Sequence, residues 1–233
     1  VANTANLVSI PRDTFVSGGY NVPKINSAYG WAGKGEDGMQ ELMDRVTETI
    51  GFTPDGYLLV DLDSFVDLVD LMGGVKFDVP MDMRYSDPAQ NLTIDLTAGM
   101  QKLDGQQAMG LVRFRSGYAM ADLERVNVQR AFVSAAAKQW ASVKSVFKIP
   151  GLLSWYSGNV TTDLSMGNLA WLGVNLMRAD LDGAQTKTLP GEGRTIWGGS
   201  YYCLDPNGVL QMVNDLLNPY EQAVSYQDVS IRG

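Results

Sequence analysis

The stretch from Tyr57 to Val79, YLLVDLDSFVDLVDLMGGVKFDV, decides the fold class. Tyr57 to Asp61 is a short continuous apolar run, the kind of strand expected inside an α/β sheet with both faces covered. Ser64 to Met72 carries Phe65, Val66 and Val69 on one helical face and stops at Gly73-Gly74. Val75 to Val79 then alternates apolar and polar residues, and Pro80 closes it. Strand, helix and strand in succession predict an α/β architecture.

The same alternation extends outward. Asn6 to Ile10 (NLVSI) reads as a short buried strand stopped by Pro11, followed by a Gly/Asn/Pro-rich loop from Ser17 to Pro23. Residues 36 to 50 place Met39, Leu42, Met43, Val46 and Ile50 at helical spacing, with Gly51 as the stop. After a polar stretch read as irregular, Leu92 to Leu96 alternates as a strand. Asp104 opens a short helix, and the longest helix is predicted from about Asp122 to about Val146. Another helix is expected near Gly167 to Arg178, with strands near 185–189 and 194–203. The last helix, Pro206 to Leu217, has Asp205 as N-cap and proline at its first position. With no obvious linker, residues 1–233 read as one three-layer α/β domain with a mixed central sheet and helices on both faces.

Composition narrows the function. The chain has 233 residues, 45% of them hydrophobic, enough for a sizeable core. No apolar run approaches the ~20 residues that span a bilayer. The chain opens on Val1 rather than Met, so any membrane anchor is expected upstream. A net charge of −8, with no basic recognition helix, argues against nucleic acid and a role in transcription. Yet Arg113, Arg115, Arg125 and Arg130 lie close together in sequence, a local basic focus that points to a discrete anion site. The absence of histidine removes Ser-His-Asp and Cys-His nucleophile schemes and imidazole metal sites. Cys203, the lone cysteine, reads as a buried small hydrophobe.

Four segments carry candidate chemistry. Ser9-Ile10-Pro11-Arg12-Asp13-Thr14 ends a strand, where ligands of α/β sheets bind, although Pro and Asp also make ordinary turns. If Arg113-Phe114-Arg115 is extended, both guanidiniums share one face while Val112 and Phe114 anchor the other. Two forked donors suit a diphosphate; charge guarding an edge strand is the other reading. On a helix, Asp122, Arg125 and Gln129 share one side, either as an anion site at a helix start or as an N-cap with a surface ion pair. Lys24-Ile25-Asn26-Ser27-Ala28-Tyr29 draws no notice alone.

Taken in order, these segments resemble the LytR-CpsA-Psr family of cell-wall glycopolymer phosphotransferases. SIPRDT at 9–14, KINSAY at 24–29 and LMGGV at 71–75 are followed by LDGQQA at 103–108, RFR at 113–115, Asp122, Arg125 and Gln129, and GSYYCLDPNGV at 199–209. The resemblance covers nearly the whole chain. It implies transfer of a glycopolymer, such as teichoic acid or capsule, from a polyprenyl-pyrophosphate carrier to peptidoglycan, outside the cytoplasm, by a protein anchored at its N-terminus to the membrane. It assigns Arg12, Arg113, Arg115, Arg125 and Gln129 to the pyrophosphate, Arg125 also taking a catalytic part. Phe65, Val69, Met72 and Phe132 could line a tunnel for the lipid, or simply be core. Without histidine the base must be a carboxylate, and Asp13 is the candidate in this chain. The family also implies Mg²⁺, held by a pair of aspartates upstream of SIPRDT, whereas the eight residues before Ser9 contain no acid. The metal ligands are therefore unknown, and a strand and anchor are expected to precede Val1. The alternative is a non-catalytic module that binds polyprenyl phosphate or polysaccharide.

Overall fold

The computed structural model describes residues 5–90, 92–114, 121–140, 149–179 and 184–231, without the side chains at 90, 121–125, 149, 150, 157 and 177. In chain order the first elements are β1 (Leu7–Ser9), α1 (Ile25–Trp31), α2 (Gly35–Ile50), β2 (Leu58–Val60), α3 (Leu62–Leu71) and β3 (Val75–Val79). Next come β4 (Met83–Asp87), β5 (Leu92–Leu96), β6 (Gly99–Leu103), α4 (Gly105–Arg113) and α5 (Ala121–Trp140). The last are α6 (Ile149–Asn159), β7 (Val160–Thr162), α7 (Met166–Arg178), β8 (Thr186–Thr188), β9 (Gly191–Ile196), β10 (Gly199–Leu204) and α8 (Pro206–Leu216). Helices and strands are mixed along the chain, with a run of four strands, β3 to β6, followed by three helices, α4 to α6. The described residues fall into two compact units, one spanning Gly56–Thr186 and the other Asn6–Asp55 with Lys187–Gly233.

In the Gly56–Thr186 unit, Asp61 caps α3 by accepting from the Ser64 amide at 2.8 Å, and the helix runs to the positive-φ pair Gly73-Gly74. Gly74 is required twice over, since a Cβ there would meet the Leu103 carbonyl at 2.6 Å. β3 alternates as expected: Val75, Phe77 and Val79 are buried while Lys76 and Asp78 face out. It pairs antiparallel with β6, Val75 opposite Leu103, and β4 pairs antiparallel with β5. Val69, Phe77, Leu103, Leu111, Phe114 and Phe132 belong to the core that α3, α4 and α5 close over these ladders.

The Asn6–Asp55 and Lys187–Gly233 unit has its own core of Ile50, Leu189, Leu204, Val209, Leu210 and Val213. α2 opens with Glu36 and Asp37 against its positive end and stops at Gly51, φ 84°. α8 begins behind Asp205, which accepts from the Asn207 amide, with proline at its start. β1 pairs with β8 and β9 with β10, while residues 13–15 bond to Tyr202 through a parallel bridge at Thr14.

Three sequence expectations need correction. The strand expected over Tyr57 to Asp61 spans Leu58–Val60, with Leu58 and Val60 exposed, and among the described residues it pairs with β7 in a two-stranded antiparallel ladder. The stretch read as irregular contains β4, hidden from a pattern search because only Met83 of it is fully buried. The strand expected over 194–203 is a hairpin, β9 and β10, turning at Trp197-Gly198 with both residues at positive φ.

Candidate functional site

SIPRDT and KINSAY, separated by a proline loop in sequence, meet at one place. The Thr14 hydroxyl and amide both donate to the Pro11 carbonyl, closing a tight turn over 11–14. The Tyr202 amide donates to the Asp13 carbonyl at 2.9 Å, and the Phe15 amide donates to the Tyr202 carbonyl at 2.9 Å. From the other side, the Asn26 and Ile25 amides donate to the carbonyls of Arg12 and Thr14. Backbone bonds on both sides thus fix where Arg12, Asp13 and Lys24 project.

Their side chains form a small charged cradle. Lys24 Nζ lies 3.0 Å from Asp13 Oδ1, and Arg12 Nε lies 3.6 Å from the same oxygen. Asp13 and Lys24 are each about one quarter exposed, whereas the Arg12 side chain is 52% exposed and reaches solvent. Lys24 Nζ also sits 5.4 Å from the centre of the Tyr201 ring, which holds the ammonium by cation–π attraction. Tyr201 packs edge-on to Phe15 and shares a buried cluster with it and Cys203. Burial pushes the Cys203 thiol up, so it is held as a neutral filler, as its sequence context indicates. Two cations around one carboxylate leave the cradle net positive. It can take an anion, and it orients Asp13 as a hydrogen-bond acceptor.

Lys24 and Tyr201 lie in the KINSAY and GSYYCLDPNGV motifs, but neither carries a role of its own in the sequence. Lys24 carries the signal of standing directly before a helix, but its partner lies across a loop. Tyr201 becomes relevant only through the pairing of β10 with residues 13–15, which no local pattern reveals.

In the other unit, Arg113 is helical rather than part of the extended segment that the sequence left open. α4 starts with a capping box, Asp104 accepting from the Gln107 amide while the Gln107 side chain accepts from the Asp104 amide. The helix continues through Arg113, and Phe114 leaves it in an extended conformation. The residues that anchor it are therefore Leu111 and Phe114, three apart and almost fully buried, rather than Val112 and Phe114. Arg113 stands in the last helical turn, where a cation complements the dipole. Gln129 on α5 donates through Nε2 to the Val112 carbonyl at 2.6 Å, tying α5 to the end of α4. Arg115 lies outside the described residues, as do the side chains of Asp122 and Arg125, although both belong to α5. Phe65, Val69 and Phe132 share one core cluster, with the Phe65 and Phe132 rings 6.1 Å apart; Met72 is buried as well.

The described residues contain no group of three or more His, Cys, Asp or Glu side chains able to hold a metal ion. Asp13 is a single carboxylate already engaged by two cations, so by itself it is not a preformed cation site.

Comparison with known proteins agrees with the motif order. The model of the LytR_cpsA_psr family matches residues 1–218. The chain belongs to that family. It is 31% identical over 212 residues to the polyisoprenyl-teichoic acid–peptidoglycan teichoic acid transferase TagU of Oceanobacillus iheyensis, covering 90% of this chain and 64% of TagU. It is 34% identical over 188 residues to the probable cell wall biosynthesis protein LcpB of Corynebacterium glutamicum, covering 79% of this chain and 42% of LcpB. The chain thus spans less than two thirds of the length of either relative. Among solved structures, Bacillus subtilis TagV superposes with a TM-score of 0.75 at 23% identity, covering 91% of this chain and 82% of TagV, which shows the shared fold. Among the described residues no helix is long and apolar enough to cross a membrane.

Proposed function

We propose that this chain is a glycopolymer phosphotransferase that moves a polymer from a polyprenyl-pyrophosphate carrier to a sugar hydroxyl of peptidoglycan, working outside the cytoplasm. Support comes from the family, from relatives named as teichoic acid transferases, and above all from the cradle in which Arg12 and Lys24 flank Asp13. In the reaction, the acceptor oxygen attacks the phosphorus that carries the polymer. The bond from that phosphorus to the bridging oxygen breaks, and polyprenyl phosphate leaves with the electron pair. Asp13 accepts the hydroxyl proton. The transition state of such a transfer is loose, so catalysis depends on positioning and charge neutralisation more than on base strength. Arg12, Arg113, Arg115 and Arg125 take the pyrophosphate charge, with Gln129 as a hydrogen-bonding partner, and Arg125 stabilises the leaving phosphate. Phe65, Val69, Met72 and Phe132 are the candidates to border the lipid.

The test is calorimetric titration with a short-chain polyprenyl pyrophosphate, followed by a transfer assay with a lipid-linked teichoic acid precursor and peptidoglycan. Arg115→Lys and Arg125→Lys keep the charge but lose the bidentate fork, so each should weaken binding about tenfold, the loss of one strong charge-assisted bond. Undiminished affinity in both variants overturns the assignment. Carrier binding without transfer, under every condition that supports transfer by a family member, would make the chain a binding module instead.

A further inference from the structure

We propose that the β9–β10 hairpin carries a sugar subsite, in which the face of Trp197 receives a sugar ring and the Arg194–Glu192 pair receives its hydroxyls. The choice of a sugar rests on the transfer reading, in which both the carried polymer and its acceptor are carbohydrate. The geometry comes from the hairpin. Trp197 is 82% exposed and adopts φ 50° as the first of the two residues that turn β9 into β10. Left-handed backbone is unfavourable for a bulky side chain, and asparagine followed by glycine suits such a turn better. A buried ring would offset that cost by leaving water. This one stays in water, with an edge-on contact to Phe15 at 6.0 Å. Stability therefore does not account for tryptophan at this position, and backbone strain of this kind gathers at functional sites. A Cβ on the neighbouring Gly198 would meet no described atom within 4 Å, so there is room beside the ring.

The ring's neighbours select the occupant. Phe15 joins Trp197 to Tyr201, whose ring lies 5.3 Å from that of Phe15 and holds Lys24 of the Asp13 cradle at 5.4 Å. Arg194 stands opposite Tyr201 in the hairpin register, and Glu192, two residues earlier, shares its face. Arg194 Nε donates to Glu192 Oε1 at 2.7 Å, and both side chains are at least half exposed. The pair is neutral in sum, so it does not compete with the cradle for phosphate. Guanidinium N–H donors beside carboxylate oxygens are the two kinds of partner that adjacent sugar hydroxyls take. An aromatic face, negative at its centre, attracts the weakly positive C–H groups on one side of a sugar ring. Ring and pair together hold a sugar on the side of the cradle that Tyr201 forms.

The test is calorimetric titration of the 233-residue chain with two probes, tryptophan emission being followed alongside. One probe is a soluble peptidoglycan glycan tetrasaccharide without stem peptides, the other a soluble, lipid-free teichoic acid. Trp197→Asn should weaken binding about tenfold, the order of weight of one stacked ring, while its melting temperature stays equal or rises. Trp197→Phe keeps a ring face and should keep most of the affinity, a rescue that a purely structural turn residue would not show. Binding of the tetrasaccharide makes the acceptor the occupant, and binding of the teichoic acid alone makes it the carried polymer; either supports the subsite. If Trp197→Asn melts lower, the emission difference between the unsubstituted chain and Trp197→Phe decides: a change in this difference on adding a bound glycan supports stacking, and a fixed difference overturns it. No binding of either glycan, undiminished binding by folded Trp197→Asn, or equal losses in both variants also overturns the proposal. So does self-association that depends on Trp197 while both glycans go unbound. Glycan held through Trp197 without transfer, where a family member transfers, keeps the subsite and removes the transfer reading. Full transfer by Trp197→Asn protein does the reverse.

Discussion

Asp13 is held at one oxygen by Lys24 and Arg12, and the two contacts differ in kind. The Lys24 contact, at 3.0 Å, is the shorter and more enclosed, and Tyr201 holds the ammonium from its other side. The Arg12 contact, at 3.6 Å, is looser, and that side chain is half exposed. Pairs this accessible contribute on the order of 0–1 kcal/mol to stability, so the arrangement is better explained by the position it gives the carboxylate. The expected result follows from that division. Asp13→Asn keeps the shape and removes the proton acceptor, so transfer should fall roughly 100-fold or more, the usual weight of a positioned base. The melting temperature should barely move, and carrier binding should be equal or tighter, because two cations are released to the pyrophosphate. Lys24→Met should instead weaken carrier binding and transfer together. A transfer assay paired with titration separates the two, and Asp13→Asn protein with full turnover would remove Asp13 from the chemistry.

At the level of elements, legibility depended on whether local pattern and tertiary burial agreed. α2, α3 and α8 were readable because an apolar face coincides with at least one end signal, Gly51 for α2, Gly73-Gly74 for α3, and Asp205 with Pro206 for α8. Leu111 to Arg113 misled because the alternation there is over a span too short to separate period 2 from the end of a helix, and the capping box upstream places these residues in α4. β4 and β6 were missed for the opposite reason: each has a mostly exposed face and one fully buried anchor, Met83 or Leu103, so their pairing comes from neighbours. Arg12 and Asp13 were found as candidates, but Lys24 was not, since its role exists only across the loop that brings 24–26 onto 12–14. Two substitutions test this account. Asp104→Ala removes the carboxylate half of the α4 capping box, the acceptor of the Gln107 amide, and should cost about 1 kcal/mol in urea unfolding. Trp197, 82% exposed, adopts φ 50° at the β9–β10 turn, where asparagine is better suited. Trp197→Asn should therefore raise the midpoint by a comparable amount, less the edge-on contact with Phe15 that it gives up. A drop larger than that contact explains would mean the aromatic ring, not the turn, governs the hairpin.

At the scale of the whole molecule, the mixture of strands and helices was legible along the chain, but the grouping was not. The Gly56–Thr186 unit is inserted between the two stretches of the other, and nothing local in sequence announces that 6–55 and 187–233 share a core. The division has a consequence in alkali. Tyr20, Tyr202 and Cys203 all lie in the interrupted unit, and each is held above its ordinary ionisation range. Burial is the largest cause in all three, and Glu41, accepting a hydrogen bond from Tyr20, adds to it there. In each case the folded state keeps a proton that the unfolded state releases. Stability from these groups is complete below the unfolded values, near pH 8.5 for the thiol and about 10 for the phenols. It falls as pH rises from there toward the folded values, because the unfolded chain then binds fewer protons than the native one. Urea midpoints should therefore decline between about pH 8.5 and pH 11, and tyrosinate absorbance from Tyr20 and Tyr202 should appear with unfolding rather than before it. Limited proteolysis at about pH 10 should cut first within 6–55 and 187–233, while Gly56–Thr186 stays intact longer. The variant Tyr20→Phe cannot ionise and should flatten the upper part of the decline. Cleavage that begins in the inserted unit, or a Tyr20→Phe profile that matches the unsubstituted chain, would show that alkaline sensitivity does not originate in these buried groups.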